Sequence, residues 1–155
     1  MSEGFRVSPG RETLQIYAFV LWLLTFLFFL RVLGQLLVAL FNVAFLPPME
    51  EWYSGLIAYP ILLSVQVLIL IFQIKLCTDF FRGYGFFVVP RKRLGFWLRW
   101  LSYLYFSSMV LRYIIMMVLY PERRWFGGTI PIFFHFVLAG FLFTWGHFHT
   151  RWVRS

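Results

Sequence analysis

Four long apolar runs alternate with short polar connections along the 155 residues. The first extends from Leu14 to Leu46 and is interrupted by Arg31, Gln35 and Asn42. As one helix it would reach about 50 Å at the standard rise, beyond the ~30 Å hydrocarbon core of a bilayer. It therefore either tilts and projects or breaks near Gly34, and Pro47-Pro48 stops it in both cases. Pro60 suits the opening turn of a second helix over about 60–80. A third is predicted over about 96–120, ending at Pro121, and a fourth over about 129–149 with Pro131 in its first turn. The first run is too long for a signal peptide and lacks a small-residue cleavage site. No internal repeat is visible. The predicted fold is all-α, an integral membrane four-helix bundle in a single domain spanning 1–155. Residues 81–95 form one basic connection, and residues 41–59 and 121–128 form two connections on the opposite side.

Composition supports lipid as the solvent. Hydrophobic residues make up 61% and charged residues 13%, against roughly 25% charged in an ordinary soluble domain. Aromatics reach 23%, with 21 Phe, as suits lipid-facing helices and interfacial belts. The net charge of +8 would fit a nucleic-acid binder only if a polar segment could build a basic surface, and none is long enough. The charges instead report topology. One side receives Arg6, Arg11, Lys75, Arg82, Arg91, Lys92, Arg93, Arg99, Arg151 and Arg154. The other receives Arg123 and Arg124 together with Glu50, Glu51 and Glu122. The positive-inside rule then places both termini in the cytoplasm, in a membrane of the bacterial inner type. Arg91, Lys92 and Arg93, preceded by Phe86-Phe87-Val88-Val89, read as an anchor on the anionic membrane surface.

Polar residues within the apolar runs point to where chemistry would lie, because a charged group in hydrocarbon costs about 2.5–3.5 kcal/mol on insertion scales. Arg31, Gln35 and Asn42 share one stripe of the first helix. Gln66 and Gln73 share a face of the second, and Tyr105, Ser108 and Arg112 a face of the third. On the fourth, His135, Ala139, Leu142, Gly146 and His149 trace a single stripe. Gln66, Arg112 and His135 lie some six to nine residues in from the same end, roughly 10–13 Å deep. The candidate ligand-binding set is Arg31, Gln35, Gln66, Tyr105, Arg112 and His135. Two guanidiniums without a nearby carboxylate suit an anionic lipid headgroup or the carbonyls of a quinone. The plainer alternative is that these groups bond one another to fix helix packing.

Other readings carry less. Cys77 is the single cysteine, so no intrachain disulfide or paired-thiol relay exists, and it reads as a packing residue. His147 and His149 are two apart on a helix and diverge by about 200°, so no metal site is expected. Haem or chlorophyll ligation through His135 is weakened because all three histidines lie on the fourth segment. Glu50, Glu51, Glu122, Arg123 and Arg124 would form a charged rim, with Trp52, Tyr53, Trp125 and Phe126 as an outer aromatic belt. Phosphate loops, nucleophile elbows and zinc-hydrolase signatures are absent. The expected function is a subunit or accessory component of a larger membrane assembly, with membrane lipids and other subunits as partners. The alternative is a quinone-linked or lipid-modifying enzyme using His135 and Arg112.

Overall fold

The apolar runs fold as helices, and their ends are set by local chemistry rather than by the prolines alone. The computed structural model describes residues 9–52, 58–119 and 129–152. These form α1 (Arg11–Phe41), α2 (Met49–Trp52), α3 (Tyr59–Arg82), α4 (Lys92–Leu119) and α5 (Thr129–Arg151). All but α2 are long and apolar enough to cross a membrane, and their outward faces carry residues such as Phe19, Leu68 and Trp97. Helices that are apolar all round belong in hydrocarbon.

α1 runs unbroken through Gly34, so of the two alternatives for the first run the break does not occur. Nor do Pro47-Pro48 stop it. Asn42 adopts the left-handed conformation at φ 46° and its N–H bonds the Val38 carbonyl, ending the helix five residues before the first proline. Asn tolerates that conformation better than other side chains. Asn42 is thus an exposed cap and leaves the inward stripe of Arg31 and Gln35. The stretch 41–59, expected as a connection, contains α2. α3 opens on Pro60 and closes on Gly83, whose N–H bonds the carbonyls of Asp79 and Phe80. α4 starts four residues earlier than expected, so Lys92 and Arg93 belong to its first turn and the basic connection shortens to 83–91.

Close packing follows the order α3–α1–α5–α4, and α3 and α4 make no close backbone approach among the described residues. The bundle is therefore open, with α1 and α5 central. Glycines bring α4 and α5 together. A Cβ at Gly95 would lie 2.7 Å from the His149 Cβ, and one at Gly146 would lie 2.9 Å from the Leu98 Cβ. Further along the same pair of helices, Ser102 donates to the Ala139 carbonyl at 2.9 Å. Small residues and hydroxyls are the expected adhesive where lipid removes the hydrophobic drive for helix association.

The core forms two tiers. Nearer the termini, Leu14, Ala18 and Leu21 meet Leu76, Phe80, Trp145 and Phe148. Further along, Phe28 and Val32 meet Leu70 and Val137. The 83–91 connection contributes to the first tier: Val88 is buried, and the Phe87 ring meets Phe72 and Trp145. The Phe86–Val89 stretch is therefore partly core. Its surface portion is Phe86 and Val89, with the Arg91 guanidinium 3.9 Å from the Phe86 ring centroid.

A candidate polar site around Arg31

Arg31 lies ten residues short of the far end of α1, about 15 Å along the axis. A guanidinium at that depth needs partners, and it finds neutral ones. Nη1 donates to Gln35 Oε1 at 3.2 Å, and Nη2 donates to the Trp52 carbonyl at 3.3 Å. From α3, Gln66 Nε2 donates to the same Gln35 oxygen at 3.2 Å. The Phe134 ring of α5 lies 5.7 Å from the guanidinium carbon, and Tyr59 and Tyr105 are within its electrostatic reach. Arg31 is 6% exposed and Gln35 fully buried.

α2 closes this network. A Cβ at Gly34 would lie 2.7 Å from Cη2 of Trp52, so the indole rests directly on the α1 backbone. Its Nε1–H donates to the Pro47 carbonyl at 2.9 Å, which ties the turn after α1 to α2. Trp52 was expected in the outer aromatic belt. It is instead buried, because glycine leaves an indole-sized seat one turn above Arg31. Tyr53, Trp125 and Phe126 of that belt lie outside the described residues, as do Glu122, Arg123, Arg124 and the side chains of Glu50 and Glu51.

His135 and Tyr105 form a second element beside the network, with ring centroids 5.5 Å apart. His135 Nδ1 is hydrogen-bonded to the Pro131 carbonyl. That bond places the ring proton on Nδ1 and leaves Nε2 as an acceptor. Arg31 and Arg112 are both within electrostatic reach of His135. Arg112 is half-buried and makes no hydrogen bond or ion pair among the described residues. The six sequence-derived residues thus separate into a bonded trio (Arg31, Gln35, Gln66), a ring pair (Tyr105, His135), and Arg112 at the margin.

The trio is incompletely satisfied. Among the described residues, Arg31 Nε and Gln35 Nε2 are buried donors without acceptors, and Gln66 Oε1 is a buried acceptor without a donor. Lys75–Asp79 is the one ion pair among the described residues, and it belongs to the opposite half of α3. The site can therefore bind, orient and neutralise an acceptor-rich head that also brings a donor. Sequence reasoning missed Trp52 and Phe134. Gly34 was the available signal, since a glycine inside an apolar helix marks close approach as readily as a break.

The remaining polar residues do not join it. Gln73 is buried between the two core tiers with both amide atoms unpartnered among the described residues. Ser108 is exposed and donates to the Tyr105 carbonyl, so it leaves the inward stripe. His149 is fully buried and its Nδ1 accepts the Arg91 backbone N–H at 3.2 Å, while His147 stacks between Tyr17 and Phe143. Among the described residues no three His, Cys, Asp or Glu side chains gather as metal ligands. Cys77 is buried, 3.4 Å from Thr25 Oγ1. Comparison with known proteins returns no matching family, no curated relative and no similar solved structure.

Proposed function

We propose that this chain is a small subunit of a larger membrane assembly, and that it holds a lipid or quinone by its polar head in the half of the bundle away from its termini. The observation that carries this reading is the environment of Arg31. Its guanidinium is buried against two neutral oxygens, and its own Nε, Gln35 Nε2 and Gln66 Oε1 lack partners among the described residues. A buried charge with only neutral partners and vacant hydrogen bonds costs free energy, and an acceptor-bearing head removes much of that cost. A quinone offers acceptors for Arg31 Nε and Gln35 Nε2. A quinol, or a phospholipid whose head carries a hydroxyl or ammonium group, also supplies the donor that Gln66 Oε1 lacks.

The subunit role is supported by α4, which buries Gly95, Leu98 and Ser102 against α5 and exposes most of its remaining length. The distribution of basic residues supports cytoplasmic termini in a bacterial inner membrane. The enzyme alternative draws on the Tyr105–His135 pair. It is disfavoured because the bond to Pro131 ties the His135 ring to its own helix.

The test is extraction and mass spectrometry of protein purified in mild detergent, alongside an Arg31→Met variant. One quinone or phospholipid species retained per chain, and lost from the variant, is the expected result. Identical extracts from the two proteins would overturn the binding reading. Purification without any stoichiometric membrane partner would overturn the subunit reading.

A further inference from the structure

A second polar cluster lies at the terminal end of the bundle, on the opposite half from Arg31. α1 and α4 both pack on α5 but make no close backbone approach to each other among the described residues, which leaves a face of α5 between them. Along that face the contacts alternate between the two flanking helices. Phe136 meets Phe106 of α4, Gly140 faces Leu24 of α1, Phe143 meets Tyr103 of α4, and His147 stacks on Tyr17 of α1. These α5 positions fall four, three and four apart, one stripe of a helix. They form the floor of a shallow groove, apolar towards the bundle centre and walled by aromatic rings.

The groove becomes cationic at its terminal end. The Arg99 guanidinium lies 5.9 Å from the centroids of both Tyr103 and Phe143. Its Nη2 donates to the Tyr103 hydroxyl at 3.1 Å, while its Nε is buried without a partner. From α5, Arg151 approaches the Tyr17 hydroxyl, and His147 lies within electrostatic reach of both arginines. Neither arginine has a carboxylate partner among the described residues. Two guanidiniums from different helices therefore act electrostatically on one histidine, beside neutral aromatic and hydroxyl groups and an apolar stripe.

We infer that this groove is a binding site for an anionic phospholipid, with the phosphate between Arg99 and Arg151 and one acyl chain along Phe143, Gly140 and Phe136. The charge pattern selects that occupant. Guanidiniums bind phosphate oxygens through charge-assisted hydrogen bonds, and an acyl chain requires an uninterrupted apolar floor at the depth where this one begins. A zwitterionic lipid offers the same chain but brings its own cation to a site already holding two. The inference is independent of the proposal for Arg31, since no residue is shared.

The experiment is lipid retention measured by native mass spectrometry, with phosphatidylglycerol and phosphatidylcholine of matched acyl chains as probes. One phosphatidylglycerol per chain is expected to persist under activation that strips phosphatidylcholine. Arg99→Gln with Arg151→Gln should abolish that preference. Arg11→Gln with Arg82→Gln removes equal charge from exposed positions at the same end of the bundle and should leave it intact. Gly140→Leu should weaken retention several-fold by filling the floor; a Cβ there meets Leu24 at 3.8 Å, an ordinary contact, and an unchanged melting temperature separates the loss from misfolding. Equal retention of the two lipids by the parent would overturn the inference. So would equal losses from the two charge-removed variants, because bulk charge alone would then explain the preference. Arg31→Met serves as the arm for the other site. Its phosphatidylglycerol retention here should match the parent, whatever it does to the ligand of the Arg31 network.

Discussion

The Trp52 indole sits on Gly34 so closely that a Cβ at that glycine would fall 2.7 Å from the ring. Its backbone carbonyl meanwhile accepts from Arg31. One residue of a four-residue helix thus links the packing of α1 to the satisfaction of a buried cation. Gly34→Ala is expected to push α2 outward and destabilise the protein by about 1–3 kcal/mol, the usual range for overpacking. Trp52→Ala should cost about 3–5 kcal/mol as a large-to-small change. Because the two residues touch, the double variant should cost less than the sum of the singles. Thermal unfolding in detergent of the three variants checks this, and strict additivity would contradict the contact.

Gln35 accepts from both Arg31 and Gln66, so its removal strands two donors at once. Gln35→Leu is expected to be strongly destabilising, about 3–5 kcal/mol, as for breaking a buried charged interaction. Replacing Arg31, Gln35 and Gln66 together by Met, Leu and Leu should be milder, because the charge is gone and only the neutral Trp52 carbonyl loses its partner. A triple variant less stable than the single, in the same unfolding assay, would show that the network contributes net stability.

Two glycines close the α3–α4 connection and should differ in tolerance. Gly83 has φ +77° and its Cβ would meet Leu14 Cδ1 at 3.7 Å, an ordinary contact, so Gly83→Ala should cost about 1–2 kcal/mol, the left-handed penalty alone. Gly85 has φ +137°, and its Cβ would overlap the Asp79 carboxylate. Gly85→Ala is therefore expected to be the more damaging by at least a further 1 kcal/mol. Comparison of the two melting temperatures decides the ranking.

Much of this organisation is written in the sequence. The four apolar helices follow from the spacing of hydrophobic runs, and the helical period places Arg31 beside Gln35, and Gln66 beside Gln73, on buried stripes. What periodicity could not supply was the order of helices in space or the role of short irregular segments. In lipid an apolar side chain is equally at home facing a helix or a fatty tail, so the stripe says less than it would in water. Asn42 and Ser108 show the consequence. Both lie in register with inward residues, yet one caps α1 and the other bonds its own backbone. Trp52 was misplaced because aromatic residues near a predicted boundary suit both an interfacial belt and a buried wedge, and Gly34 decides between them only once the chain is seen to fold back.

Orientation is open to direct measurement. In a Cys77→Ala background, a cysteine at Arg93 should react with impermeant maleimide only from the side bearing the termini, and one at Asn42 only from the other. The native Cys77 is fully buried and should resist labelling until the protein unfolds. Labelling of both introduced sites from one face would refute an even number of crossings arranged as described.

The unpaired edges of the array have a consequence for assembly. α1 with α3, and α4 with α5, are hairpin-like couples of neighbours in the chain, and the α1–α5 contact is the seam where the couples join. Severing the polypeptide within residues 83–91 should then yield two pieces able to find each other in a membrane. Arg31 and Phe134 face each other across that seam, so a molecule lodged beside them would act as mortar between the halves, and their reunion would depend on its supply.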